Sequence, residues 1–126
     1  MALTREYRET VVARLKKDQH FTAALFAEAL MALTEGDKTT TLSIFRDLVH
    51  AHITFKKLAE ETGFDEKSLH RMLSERGNPT MENLVSLIRS IARDLGLSTS
   101  IEAQRVKRVG SSTRRRHVHH PALAFA

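Results

Sequence analysis

FKKLAEETGFDEKSLHRMLS, residues 55–74, decides how this chain is read. Phe55, Leu58, Ala59 and Thr62 fall on one side of a two-turn helix that Thr54 can cap and Gly63 can end. Two residues later Asp65 can cap a second helix, with Leu69, Met72 and Leu73 facing inward. Ala59 sits where two such helices cross, and a small side chain lets them approach. Gly63 supplies a left-handed turn without the penalty of a Cβ. The spacing is that of a helix-turn-helix, whose second helix, over 65–74, turns Glu66, Lys67, Ser68, His70 and Arg71 outward.

On either side the apolar spacing stays helical. Leu3, Tyr7, Val11 and Leu15 recur every four residues behind Thr4 as a cap. Phe21, Leu25, Ala29, Leu30 and Leu33 predict a second helix that stops at Gly36, and Asp37 opens a third with Leu42, Phe45, Leu48 and Val49 inward. Arg76-Gly77-Asn78-Pro79 is a loop by its turn chemistry. Thr80 then caps a long helix whose predicted inner face is Met81, Leu84, Val85, Ile88, Ile91, Ala92 and Leu95, stopped by Gly96. Leu97, Thr99, Ile101 and Ala103 alternate with polar residues, which predicts one short strand over 97–103 if a second copy pairs with it, and extended coil otherwise. The expected fold is all-α: an N-terminal helical segment (1–36), a helix-turn-helix domain (37–104) and a basic, disordered tail (105–126).

Charge is distributed unevenly. The chain has 20 Lys and Arg against 15 Asp and Glu, a net +5. Six of the bases (Arg105, Lys107, Arg108, Arg114, Arg115 and Arg116) lie beyond residue 104 with no acid among them, so the body is nearly neutral. A basic tail on a neutral body suits a nonspecific arm for nucleic acid; a solvated end is the plainer reading. There is no cysteine, which excludes disulfides and cysteine-based metal sites. His117, His119 and His120 lack a nearby carboxylate, and His50, His52 and His70 lie on separate predicted helices, so no metal site and no cofactor is expected. No apolar run reaches ~18 residues. MALTREYRETVV carries acids and arginines and no apolar stretch, so no signal peptide is expected and the cytoplasm is the default. Phosphate-gripping loops, zinc-protease helices and serine-nucleophile elbows are missing, and no enzyme is expected.

KKLAEETGFDEKSLHRMLSERGNPTMENLVSLIRSIARDLGL, residues 56–97, resembles the helix-turn-helix of the lambda-repressor-like superfamily. More closely it is similar to the addiction-module antidote family, the antitoxins of RelE/ParE-type toxins. Its specific parts here are Leu58-Ala59-Glu60-Glu61-Thr62-Gly63 and Ser74-Glu75-Arg76-Gly77-Asn78-Pro79-Thr80. The upstream ETVVARLKKDQHFTAALFAEALMALTEGD resembles that family's N-terminal segment. The resemblance implies a repressor that binds its own operator, double-stranded DNA, as a homodimer, with a toxin as second partner. The family usually opens its reading helix with Ser and a basic residue; this chain has Asp65 and Glu66 there.

Within the reading helix Arg71 suits a bidentate contact to guanine, Lys67 a guanine or phosphate, and Glu66 a cytosine amino group, with Ser68 on the same face as Arg71. Thr54, Lys56, Lys57, Arg76 and Asn78 flank it as phosphate contacts. Two other readings stay open: an orphan or phage-derived regulator without a toxin, and a protein-interaction module that has lost DNA affinity.

Overall fold

The structure is a computed structural model and describes residues 5–106. Six α-helices follow one another: α1 (Arg5–Lys17), α2 (Gln19–Thr34), α3 (Lys38–Leu48), α4 (Phe55–Thr62), α5 (Glu66–Met72) and α6 (Met81–Leu95). Thr4, proposed above to cap α1, lies outside the described residues.

Local chemistry starts the helices where the sequence places their caps. The side chains of Asp37, Thr54, Asp65 and Thr80 each accept the backbone N–H three residues on. Asp18 does the same for α2, accepting from Phe21 N. Gly63 and Gly96 end α4 and α6 with φ of 85° and 69°. Between α3 and α4 the backbone widens into a π-type turn, Val49–Ile53, and Thr54 N donates to Val49 O, five residues back, at 2.8 Å. Thr54 itself has φ 92° and ψ 148°, a region that β-branched residues avoid. The strain sits at the entrance to α4.

One apolar cluster joins all six helices. Leu15, Phe26, Leu42, Phe45, Leu48, Leu58, Leu69, Leu73, Leu87 and Ile91 are buried within it. Each such side chain contributes ~1.5–3 kcal/mol relative to exposure. Phe26 and Phe45 meet as tilted rings with centroids 5.9 Å apart.

Two helix faces depart in part from the sequence reading. In α2 the buried residues are Thr22, Phe26, Ala29 and Ala32; of the predicted face Ala29 is buried, while Phe21, Leu25 and Leu30 pack against the core but stay partly exposed. Thr22 tolerates burial because its hydroxyl donates to Leu15 O at 3.1 Å. In α6, Leu87, Ser90 and Ile91 point inward, while Met81 and Val85 remain 80% and 47% exposed. Residues 97–106 are coil, the outcome expected for a chain with no second copy beside it; the described residues contain no strand. Alternation alone forms no ladder without a neighbouring strand, and Ile101 is 83% exposed.

Candidate nucleic-acid interface

α4 and α5 are joined by three residues, 63–65. Gly63 N donates to Ala59 O at 2.9 Å, and Asp65 Oδ1 accepts from Ser68 N at 2.8 Å. The Ser68 side chain and its backbone N–H, both facing the Asp65 carboxyl, hold it below its ordinary pKa. Leu69 and Leu73 are buried and Met72 half-buried, which fixes the inner side of α5. Its far end is held from another helix: Arg46 Nη1 on α3 donates to Leu73 O at 2.8 Å. The loop that follows is pressed against the same end. A Cβ on Gly77 would lie 2.1 Å from Met72 O and 2.9 Å from Arg71 O.

The outer side of α5 is polar. Glu66, Lys67 and Arg71 are exposed, Ser68 is half-buried, and Arg71 Nη2 approaches Ser68 Oγ at 3.4 Å. Lys67, Ser68 and Arg71 offer an ammonium, a hydroxyl and a guanidinium within one and a half turns. Seven residues at ~1.5 Å each make an element ~10 Å long.

The flanking candidates divide. Lys56, Arg76 and Asn78 are exposed beside α5, and Asn78 Oδ1 accepts from Lys38 Nζ at 3.5 Å. Thr54 Oγ1 is used as the α4 cap, accepting from Lys57 N at 3.1 Å. Lys57 turns toward α6, where its ammonium is 3.9 Å from Glu61 Oε2 and 3.9 Å from Asp94 Oδ1. The other Asp94 oxygen is buried without a donor. The Glu61 carboxyl faces Asp94. Two carboxyls bond only if one keeps a proton, which pushes the Glu61 pKa up, with burial adding to it. Arg105 is exposed in the coil after α6; Lys107, Arg108, Arg114, Arg115, Arg116 and His117, His119 and His120 lie outside the described residues.

A cluster that sequence reasoning did not assemble lies against α5. His70 stacks on Phe55 with ring centroids 3.9 Å apart and planes at 10°. His50, in the π-type turn, packs on Phe55 at 4.9 Å and lies 6.4 Å from His70. Burial lowers the His50 pKa, and the neighbouring His70 adds to the effect. Twenty residues separate the two histidines, so no local spacing announces their meeting. Arg46 was equally silent: its bond to α5 spans 27 residues. Among the described residues no three His, Asp or Glu side chains group as a metal site, and no helix is long and apolar enough to cross a membrane.

No family model matches the chain, and no curated protein and no solved structure matches it.

Proposed function

We propose that residues 55–74 are a lambda-repressor-like helix-turn-helix and that the chain is a sequence-specific DNA-binding repressor. One observation carries the reading. α5 is gripped at both ends, by the Asp65 cap and by Arg46 on the Leu73 carbonyl, while Lys67, Ser68 and Arg71 stay on its open side. A rigid helix ~10 Å long with donors outward suits a major groove ~12 Å wide. The acidic opening of α5 is less adverse than its sequence suggests. Asp65 is occupied by Ser68 N, which leaves Glu66 as the acid free to face a cytosine amino group.

One reading helix covers few base pairs, so the active form is a two-fold dimer with half-sites about 34 Å apart or a multiple. Met81 and Val85, exposed one turn apart on α6, are apolar residues such a dimer would bury. The repressor is the antitoxin of a RelE/ParE-type pair, a role that rests on the sequence resemblance described above. The product of an adjoining gene that arrests growth alone, and co-purifies with this chain, is the expected outcome of co-expression.

Selection of duplexes from a randomised pool tests the DNA reading. The wild-type chain should enrich one sequence. Arg71→Ala should lose about 1–3 kcal/mol of specific binding and relax one position of that sequence. An unchanged preference would remove α5 as the reader.

A further inference from the structure

Beside α5 the surface carries a second charged feature, an open groove of about 810 Å3 between α1 and the corner where α3 enters the π-type turn. Arg5, Lys16 and Lys17 line it from α1. All three are exposed, and none has a hydrogen-bond or ion-pair partner among the described residues. Arg8 also lines the groove but is bound to Asp47, so these two charges cancel. Glu9 is the remaining acid, which leaves the groove at +2 before any histidine is counted.

We propose that this groove is a second phosphate-binding surface, and that a duplex read by α5 is also held on α1 by Arg5, Lys16 and Lys17. The proposal rests on α5 reading DNA. Its own support is the continuity of the two surfaces. His50 lines the groove and packs on Phe55, against which His70 of α5 stacks. The groove therefore borders the reading helix.

Charge and length choose the occupant. Arg5 and Lys16 are eleven residues apart, ~16 Å along a helix, too far to serve one phosphate group. A nucleic-acid strand places a charge about every 3.4 Å of duplex axis and can meet all three cations at once. The chain's own basic tail is excluded by its sign, and so is the same groove of a second copy. An acidic polypeptide is the competing partner.

The test uses the full chain and the duplex enriched by selection. Affinity is measured against salt for the wild type, for an Arg5→Gln/Lys16→Gln/Lys17→Gln variant, and for Arg14→Gln. Arg14 is a control on the same helix: it is exposed, lies 3.8 Å from Asp18, covers the Phe21 ring, and does not line the groove. Each lost phosphate contact removes about 0.9 from the slope of log K against log salt. The triple variant should flatten the slope by two to three units, keep the selected sequence, and lose footprint protection outside the bases read by α5. Arg14→Gln should change none of these. Because all three positions are exposed, helix content by circular dichroism should be that of the wild type.

An unchanged slope in the triple variant overturns the proposal while leaving α5 as reader. So does a variant that keeps its duplex affinity but loses binding to poly-glutamate, which would assign the groove to an acidic protein. If the wild type enriches no sequence and Arg71→Ala changes nothing, the α5 reading has failed and the groove proposal falls with it.

Discussion

All helices from α2 to α6 begin on caps that lie next to them in the chain, but buried polar side chains bonded to residues far apart are concentrated in α1 to α3. Thr54, Asp65 and Thr80 cap their own helices three residues on, and Gly63 and Gly96 end two of them in place. In the other half, Arg8 reaches Asp47 across 39 residues, Thr22 Oγ1 lies 3.0 Å from His52 Nε2 across 30, and Thr41 Oγ1 donates to Ala29 O. Thr22, Thr41 and Asp47 are all buried, so each of these bonds satisfies a polar group that would otherwise cost about 1–3 kcal/mol. Local signals set where the α4–α6 helices begin. Buried polar bonds set how α1 is aimed, and with it the groove beside α5.

Gly77 breaks this division most sharply. It belongs to the locally encoded half, yet what makes it glycine is contact with the backbone of α5. Neither Met72 O nor Arg71 O can move aside without unwinding the end of the reading helix. Gly77→Ala should cost about 3 kcal/mol in urea denaturation, as forced overpacking does. Gly63→Ala is the comparison: its Cβ would meet nothing within 4 Å, so only the left-handed φ of 85° is penalised, about 1 kcal/mol. Equal costs at the two positions would mean that the loop yields and that α5 is not held by it.

Arg8→Ala probes the other half. The Asp47 side chain is 7% exposed, and burial raises its pKa even though Arg8, the next largest influence, pulls it down. Removing the guanidinium leaves a buried carboxylate short of its partner, a loss of about 2–3 kcal/mol at neutral pH. The folded pKa lies above the unfolded one. The stability tied to the protonated form is therefore full below the ordinary carboxylate pKa and is lost as pH rises through the folded value. Without Arg8 the folded value climbs further. The melting temperature of the variant should thus fall more steeply than that of the wild type as pH rises above the ordinary carboxylate pKa. Parallel curves would show that Asp47 is not a buried charge in need of Arg8.

The same contrast explains what the sequence disclosed. Caps at Asp37, Thr54, Asp65 and Thr80, glycine stops, and the inward set Leu42, Phe45, Leu48, Leu58, Leu69 and Leu73 were all legible, because each depends on neighbours within one or two turns. The outward side of α5 followed from the same periodicity. The face of α2 was legible only in part: Ala29 is buried and Phe21, Leu25 and Leu30 meet the core, but apolar residues surround that helix, and Phe26 and Thr22, bonded to Leu15 O, take inner positions. The inner face of α6 was legible in most positions, since Leu84, Ile88, Ile91, Ala92 and Leu95 meet the core, but Met81 and Val85 fit the same period and stay exposed, and only packing chooses between them and Leu87. Residues 97–103 are coil in the single chain, as expected where no second copy pairs with them, because alternation is a necessary signal and a partner strand is the deciding one. Lys57 looked as good a phosphate contact as Lys56 until its turn toward α6 was seen.

That pair of lysines gives the smallest and most discriminating expectation. Lys57 is 58% exposed, so its two contacts at 3.9 Å hold through water-screened attraction, and Lys57→Gln should cost about 0.5 kcal/mol at pH 7. The loss should depend on pH in a definite direction. Lys57 opposes the upward shift of the Glu61 pKa, so without it the folded pKa of Glu61 rises further above the unfolded value. Below the ordinary glutamate pKa the carboxyl is protonated in both states, and Lys57 then has no Glu61 charge to offset. The cost of Lys57→Gln should therefore shrink as pH falls toward 4. Lys56→Gln, on an exposed side chain with no partner among the described residues, should leave stability unchanged at both pH values. On DNA the order reverses. Lys56→Gln should remove close to 0.9 from the salt slope and Lys57→Gln much less, since the Lys57 ammonium is already neutralised by Glu61 and Asp94. Equal salt slopes for the two variants would mean that Lys57 leaves α6 when DNA arrives, and that the acid pair then holds its shared proton more tightly. The duplex would in that case raise the pKa of Glu61, an effect that proton uptake on binding would reveal.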